Sequence, residues 1–187
     1  MPGSLIAILV LVVLASLWTI ANYNRFVRLK NYIRESWSNI DVELKRRYEL
    51  IPNLVATCKG YAAHEKEVFE KITELRNKAA ANHGDPSGQA IDESSLMLGM
   101  KQLFAVVENH PELKADAHFL ELQNELALTE DRIAAGRRFY NGNVRDMRQL
   151  SEMFPTSILA GMFGFRAPGF FELDSEAERV VPRVNLG

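Results

Sequence analysis

The chain has little cysteine, little proline and no excess of charge of either sign. Its 187 residues hold one cysteine, Cys58, so no intrachain disulfide can form. A zinc site built on clustered cysteines is excluded with it. A lone thiol at an apolar helical position reads as a small inert hydrophobe. Lys and Arg total 22 against 24 Asp and Glu, whereas a nucleic-acid-binding domain carries a clear basic excess, so no nucleic-acid partner is expected. Seven prolines and eleven glycines are few, and they fall where the chain is punctuated. Strand-like alternation of useful length, internal repeats and low-complexity tracts are absent.

Recognisable reaction chemistry is also missing. The four histidines, His64, His83, His110 and His118, are scattered. His64 and Glu65 open like a zinc-protease signature, but position 68 is Val68, so the second histidine is lacking. The stretch GMFG at 161–164 has neither a preceding strand nor the following lysine of a phosphate loop. No Ser, Thr or Cys has a recognisable base partner nearby in sequence. The sequence therefore predicts no catalytic residue, no metal site and no cofactor.

What is present begins with a long apolar run. Residues 5–21 read LIAILVLVVLASLWTIA without a charge, Gly or Pro. At ~1.5 Å per residue, this run and its flanks through Tyr23 nearly match a ~30 Å hydrocarbon core. Trp18 and Tyr23 stand at its far end, where amphipathic aromatics prefer the interface. A cleaved signal peptide is the competing reading. Against it stand the length of the run, the missing positive residue before it and the missing small-residue cleavage site. Residues 1–24 are thus expected to be an anchor that contacts the lipid bilayer through residues 5–23. Arg25, Arg28, Lys30 and Arg34 follow the run and no basic residue precedes it, so the positive-inside rule predicts a cytoplasmic C-terminal side.

The remainder has helical period. Ile33, Trp37, Ile40, Leu44, Tyr48 and Ile51 recur at steps of three and four, and no Gly or Pro interrupts residues 5–51. The anchor is expected to run unbroken into this first helix, with a kink at Pro52 and a stop at Gly60 acting as a C′ glycine. A second helix is expected over about 62–81, burying Val68, Phe69, Ile72, Leu75 and Ala79. The stretch NHGDPSGQAIDESS at 82–95 reads as a flexible loop. A third helix carries Leu96, Met100, Leu103 and Val107, and Pro111 suits the first turn of another. The last helix is long, from Phe119 through Leu126, Ile133, Tyr140 and Met147 to Leu150, ending at Phe154 and Pro155. Ala134, Ala135 and Gly136 would let a neighbouring helix come close. Its polar residues Asn124, Glu130, Arg132, Arg137, Arg138, Asn141 and Arg145 read either as a solvated face or as a docking surface. Within-helix pairing is thin there, because Glu130 and Asp131 face Ala134 and Ala135 four residues on.

The expected fold class is all-α: a single N-terminal transmembrane helix followed by an antiparallel four-helix bundle at 25–155, with long first and last helices. The tail, 156–187, is apolar to 171 and then charged and irregular. Ile158, Leu159, Met162, Phe163, Phe165, Phe170 and Phe171 lie within fourteen residues, with Arg166 the sole charge among them. Soluble monomers rarely expose such a patch, so these seven residues are the candidate interaction surface. The chain's own bundle, a neighbouring subunit or other protein, and the bilayer interface are the three candidate covers.

Specific runs go beyond class. YNRFVRL at 23–29, WSNIDVELKRRY at 37–48, LIPNLV at 50–55 and KGYAAHE at 59–65 resemble the LemA family of bacterial membrane proteins. So do FLELQ at 119–123, EDRIAA at 130–135, RFYN at 138–141 and FGF at 163–165. The matches keep their order along most of the chain. Gly136 and Gly142 depart from the pattern, and 83–95 adds nothing to it. The resemblance implies a four-helix bundle behind one span in a bacterial cytoplasmic membrane, and it supplies no reaction and no catalytic residue. The family's association with other membrane proteins and with membrane proteolysis or stress implies an adaptor or scaffold. The functional expectation is a membrane-anchored, non-enzymatic, self-associating scaffold or adaptor, a homo-oligomer that also contacts other membrane proteins. The alternative is a membrane-active protein that binds or shapes the bilayer through its apolar tail and basic collar.

Overall fold

A computed structural model describes residues 2–82 and 84–173. Among them there are six helices and no strand. They are α1 (Pro2–Tyr61), α2 (Lys66–Ala81), α3 (Pro86–Glu108), α4 (Pro111–Lys114), α5 (Ala117–Glu152) and α6 (Thr156–Phe163). His83 and the charged, irregular end at 174–187 lie outside the described residues.

Helix α1 is 60 residues long, ~90 Å at the standard rise. Its first part, where Leu5, Leu9, Leu14 and Leu17 are all exposed, packs on nothing. It is long and apolar enough to cross a membrane. From Phe26 onward one face turns buried: Phe26, Ile33, Ile40, Leu44, Ile51, Leu54 and Cys58 all lie in the core. Pro52 remains inside the helix, with its ring on the exposed side. A proline cannot donate to the carbonyl four residues back, here that of Tyr48. Arg76 Nε of α2 supplies the missing donor to that oxygen at 2.9 Å. The helix passes through Gly60 to Tyr61, and Gly60 does not adopt the left-handed conformation expected of a C′ glycine.

Helices α1 and α5 run antiparallel. Arg46 meets Glu125, Glu43 meets Arg132, and Trp37 meets Tyr140, so one number falls as the other rises. The close approach falls at Gly136, where an added Cβ would stand 3.0 Å from Ile40 Cγ1. The neighbour admitted by the small residues of α5 is thus the chain's own α1. Helices α2 and α3 form a second pair, touching where Leu75 lies against Gly99. Both pairs and the tail share one apolar core.

Two boundaries differ from expectation. Helix α2 starts at Lys66, because residues 62–65 form the turn that reverses the chain, with Glu65 N donating to Ala62 O at 3.1 Å. The expected loop at 82–95 is mostly helix: the link ends at Asp85, and Pro86 opens α3 in the first-turn position. Gln89, Asp92, Glu93 and Ser94 look like loop residues by composition but are buried. They are helical because the fold gives their polar groups partners, which composition cannot reveal.

Candidate interaction surface

The polar residues of α3 and α5 account for the centre of the molecule. Arg47 is fully buried. Its Nη1 donates to both carboxylate oxygens of Glu130, at 2.9 and 3.1 Å, and its Nη2 donates to Glu93. Tyr48 Oη donates to Glu93 as well, and Gln89 Nε2 donates to Glu93 at 2.8 Å and to the Ala79 carbonyl at 3.1 Å. Burial alone would lower the Arg47 pKa, but Glu130 and Glu93 outweigh it and raise it. The Tyr48 hydroxyl is pushed up by burial and by the Glu93 charge. The cluster ties α1, α3 and α5 in one register, a role attested for buried polar groups elsewhere.

Other residues of the polar face of α5 are also engaged. Arg132 lies 3.7 Å from Glu43, which answers the lack of within-helix pairs. Asn141 clasps the tail: its Nδ2 donates to the Phe171 carbonyl at 3.0 Å and its Oδ1 accepts from the Phe171 amide at 2.9 Å. Tyr140 Oη donates to the Gly169 carbonyl at 2.9 Å. Burial and the Asp85 charge push the Tyr140 pKa up to about 12, so this donor stays protonated. Arg148 stands 4.5 Å over the Phe170 ring. Asn124, Arg138 and Arg145 face solvent.

The seven tail residues divide. Thr156 closes the turn into α6 through its hydroxyl, donated to the Leu150 carbonyl at 2.6 Å. Helix α6 then buries Leu159. Gly164 ends it at φ 69°, a left-handed conformation that only glycine adopts cheaply, and the chain turns back. Phe165 stacks on Phe26 at 4.7 Å, and Phe171 inserts edge-on against Trp37 at 5.3 Å. Phe170 is half-buried beneath Arg148. Thus Leu159, Phe165, Phe170 and Phe171 are covered, wholly or in part, by α1 and α5. Ile158, Met162 and Phe163 are exposed.

Two exposed residues outside the expected seven extend that group. Met153 and Phe154 precede α6, and Phe154 is 82% exposed. With Trp18, Arg25, Asp146 and Leu150 they line an open cleft of about 390 Å³. Phe154 was legible as a helix end, and a large apolar residue beside proline at that end was the available signal. Among the described residues, no group of His, Cys, Asp and Glu could hold a metal ion.

A helix of membrane-crossing length, continuous with an all-helical folded part and bearing exposed apolar side chains near its exit, defines a class of helical proteins built around a membrane-type stalk. Within that class the chain belongs to the LemA family, whose family model matches residues 36–186. It is 27% identical over 195 residues to magnetosome protein MamQ 2 of Paramagnetospirillum magneticum, covering 90% of this chain and 72% of the relative. Magnetosome protein MamQ of Magnetospirillum gryphiswaldense is 26% identical, covering 89% and 71%. Protein LemA of Metamycoplasma hominis is 28% identical over 157 residues, covering 84% and 71%.

Proposed function

We propose that the protein is a membrane-anchored, non-enzymatic helical scaffold or adaptor that self-associates in a bacterial cytoplasmic membrane, its folded part on the cytoplasmic side. One observation carries the reading: the apolar stretch of α1 continues without a break into the core, so an anchored helix would hold the folded part at a set position above the bilayer. The buried polar residues fit it too, since Arg47 is held between Glu93 and Glu130 and joins three helices, a structural role. The relatives called magnetosome proteins are named for an assembly and not for a reaction, which fits the same reading.

Self-association is supported by the outer face of α5. Leu128, Ala135 and Phe139 are exposed and lie at helical spacing of seven and four, a narrow apolar stripe between charged neighbours. The full-length protein in mild detergent should have a mass that is a multiple of 21.2 kDa, and Phe139→Glu should shift it toward the single chain without lowering its melting temperature. A wild-type protein that stays a single chain across concentrations would end the self-associating reading. Orientation is tested with Gly187→Cys in intact cells: an impermeant thiol reagent should not reach it, and ready labelling would reverse the topology.

A second reading, a protein that binds or shapes the bilayer through its tail, is favoured by the apolar side chains left exposed around α6.

A further inference from the structure

The exposed apolar side chains before and within α6 lie at one end of the folded part, beside the point where α1 leaves it. The Phe163 ring centroid is 4.9 Å from that of Tyr23. Phe154 shares its cleft with Trp18 and Arg25. A hydrocarbon core takes ~20 residues of helix, so the apolar run at 5–21 meets the headgroups close to Asn22 and Tyr23. Trp18 is four residues earlier, ~6 Å deeper along the axis. The Phe154 side of the cleft therefore lies at the depth of the outer acyl chains. Arg25 lines the same cleft, and Arg28 is exposed one turn further on. Long basic side chains at that height reach lipid phosphates while their stems stay in apolar surroundings.

The occupant follows from the position. Phe154 is 82% exposed and Met162 72%, so the chain's own core does not cover them. Any covering protein at this depth would itself have to sit in the bilayer, whereas lipid is present on every open side. We propose that the turn before α6 and α6 itself form a membrane foot, which inserts Phe154, Ile158, Met162 and Phe163 among the phospholipids of the leaflet from which α1 emerges. The inference rests on the reading of α1 as a membrane span. The foot gives the molecule a second attachment beside the span, which fixes the tilt of the folded part. It also occupies area in one leaflet only, as interfacial helices do.

The test uses the full chain in vesicles of phosphatidylcholine and phosphatidylglycerol. Phe154→Cys and Met162→Cys are labelled with bimane, as are Leu11→Cys in the span and Leu128→Cys on the outer face of α5. The wild-type chain, whose Cys58 is buried, serves as the blank. Vesicles carry a nitroxide either near the lipid glycerol or near the acyl terminus. The shallow nitroxide should quench the labels at 154 and 162 several-fold more than the label at 128, and the deep one should quench the label at 11. Labels at 154 and 162 that behave like 128, with 11 quenched, would remove the foot and leave the span intact. An unquenched label at 11 would remove the span, and the foot with it. The chain's own core covers none of the substituted residues, so unchanged far-ultraviolet circular dichroism is expected for all four variants and confirms that the labels report on a folded chain.

Discussion

Arg76 of α2 donates through Nε to the carbonyl of Tyr48 in α1, the very acceptor that Pro52 leaves without its helical donor. A long-range side chain thus repairs a local defect, and α1 continues past its proline. Arg76→Met should destabilise the protein by about 0.5–1.5 kcal/mol, the usual net value of one hydrogen bond. Pro52→Ala should stabilise the protein, and more so in the Arg76→Met background than in the wild type, because there the restored amide supplies a donor that Arg76 no longer gives. Chemical denaturation of the four proteins in detergent checks this, and strictly additive effects would show that the two residues are uncoupled.

Arg47 and its two carboxylates make the next prediction. Removing one member of a buried ion network strands the others, which costs about 3–5 kcal/mol. Arg47→Ala should lose stability on that scale, and Arg47→Met with both Glu93→Gln and Glu130→Gln should lose distinctly less, because no unpaired charge then remains. Thermal melts followed by circular dichroism distinguish them. Equal losses would mean that packing and not charge burial sets the cost.

Acid sensitivity has an assigned source at the start of α5. Asp116 caps the helix, its Oδ1 accepting from the Phe119 amide at 2.8 Å while Oδ2 accepts from Tyr61 Oη. The Phe119 amide and the Tyr61 hydroxyl hold its pKa below the ordinary carboxylate value. A depressed folded-state pKa contributes stability that is present above the unfolded value, ~3.9, and is lost as pH falls through the folded value. Melting temperature should therefore fall on acidification below about pH 4. Asp116→Ala should start lower at neutral pH and show a shallower fall in that acidic range. A profile parallel to wild type would assign the acid loss to other groups.

Cys58 should resist modification. It is buried in the core, and burial pushes its pKa up to about 11, so almost no thiolate exists at neutral pH. An aromatic disulfide reagent should react with the native protein far more slowly than with the denatured chain, at a rate that tracks opening of the core. Prompt reaction at pH 8 would show that the end of α1 opens readily.

Much of the helical architecture was legible in the sequence because it rests on periodicity. The apolar run at 5–21 and the steps of three and four from Ile33 to Ile51 and from Phe119 to Leu150 stand in the structure as α1 and α5. A one-sided stripe can be buried only by a helix, and no Gly or Pro breaks the first until Pro52. Residues 82–95 were not legible. Composition alone assigns Gln89, Asp92 and Glu93 to water, since a carboxylate in a core is costly unless it has partners. Glu93 finds its partners, Arg47 and Tyr48, on a helix more than forty residues away, and Asp92 finds Lys78 and Asn82 on and just after α2.

The tail shows the same limit from the apolar side. The sequence by itself determined that seven large apolar residues crowd 158–171 and must be covered. Only the tertiary structure decided which ones the protein covers itself. The left-handed turn at Gly164 sends Phe165 onto Phe26, and the Asn141 clasp sets Phe171 against Trp37, while Ile158, Met162 and Phe163 stay outside with Phe154. Hydrophobicity is a property of each residue and can be read along the chain. Burial depends on which surfaces the fold brings within a few ångströms, and those surfaces belong to residues distant in sequence.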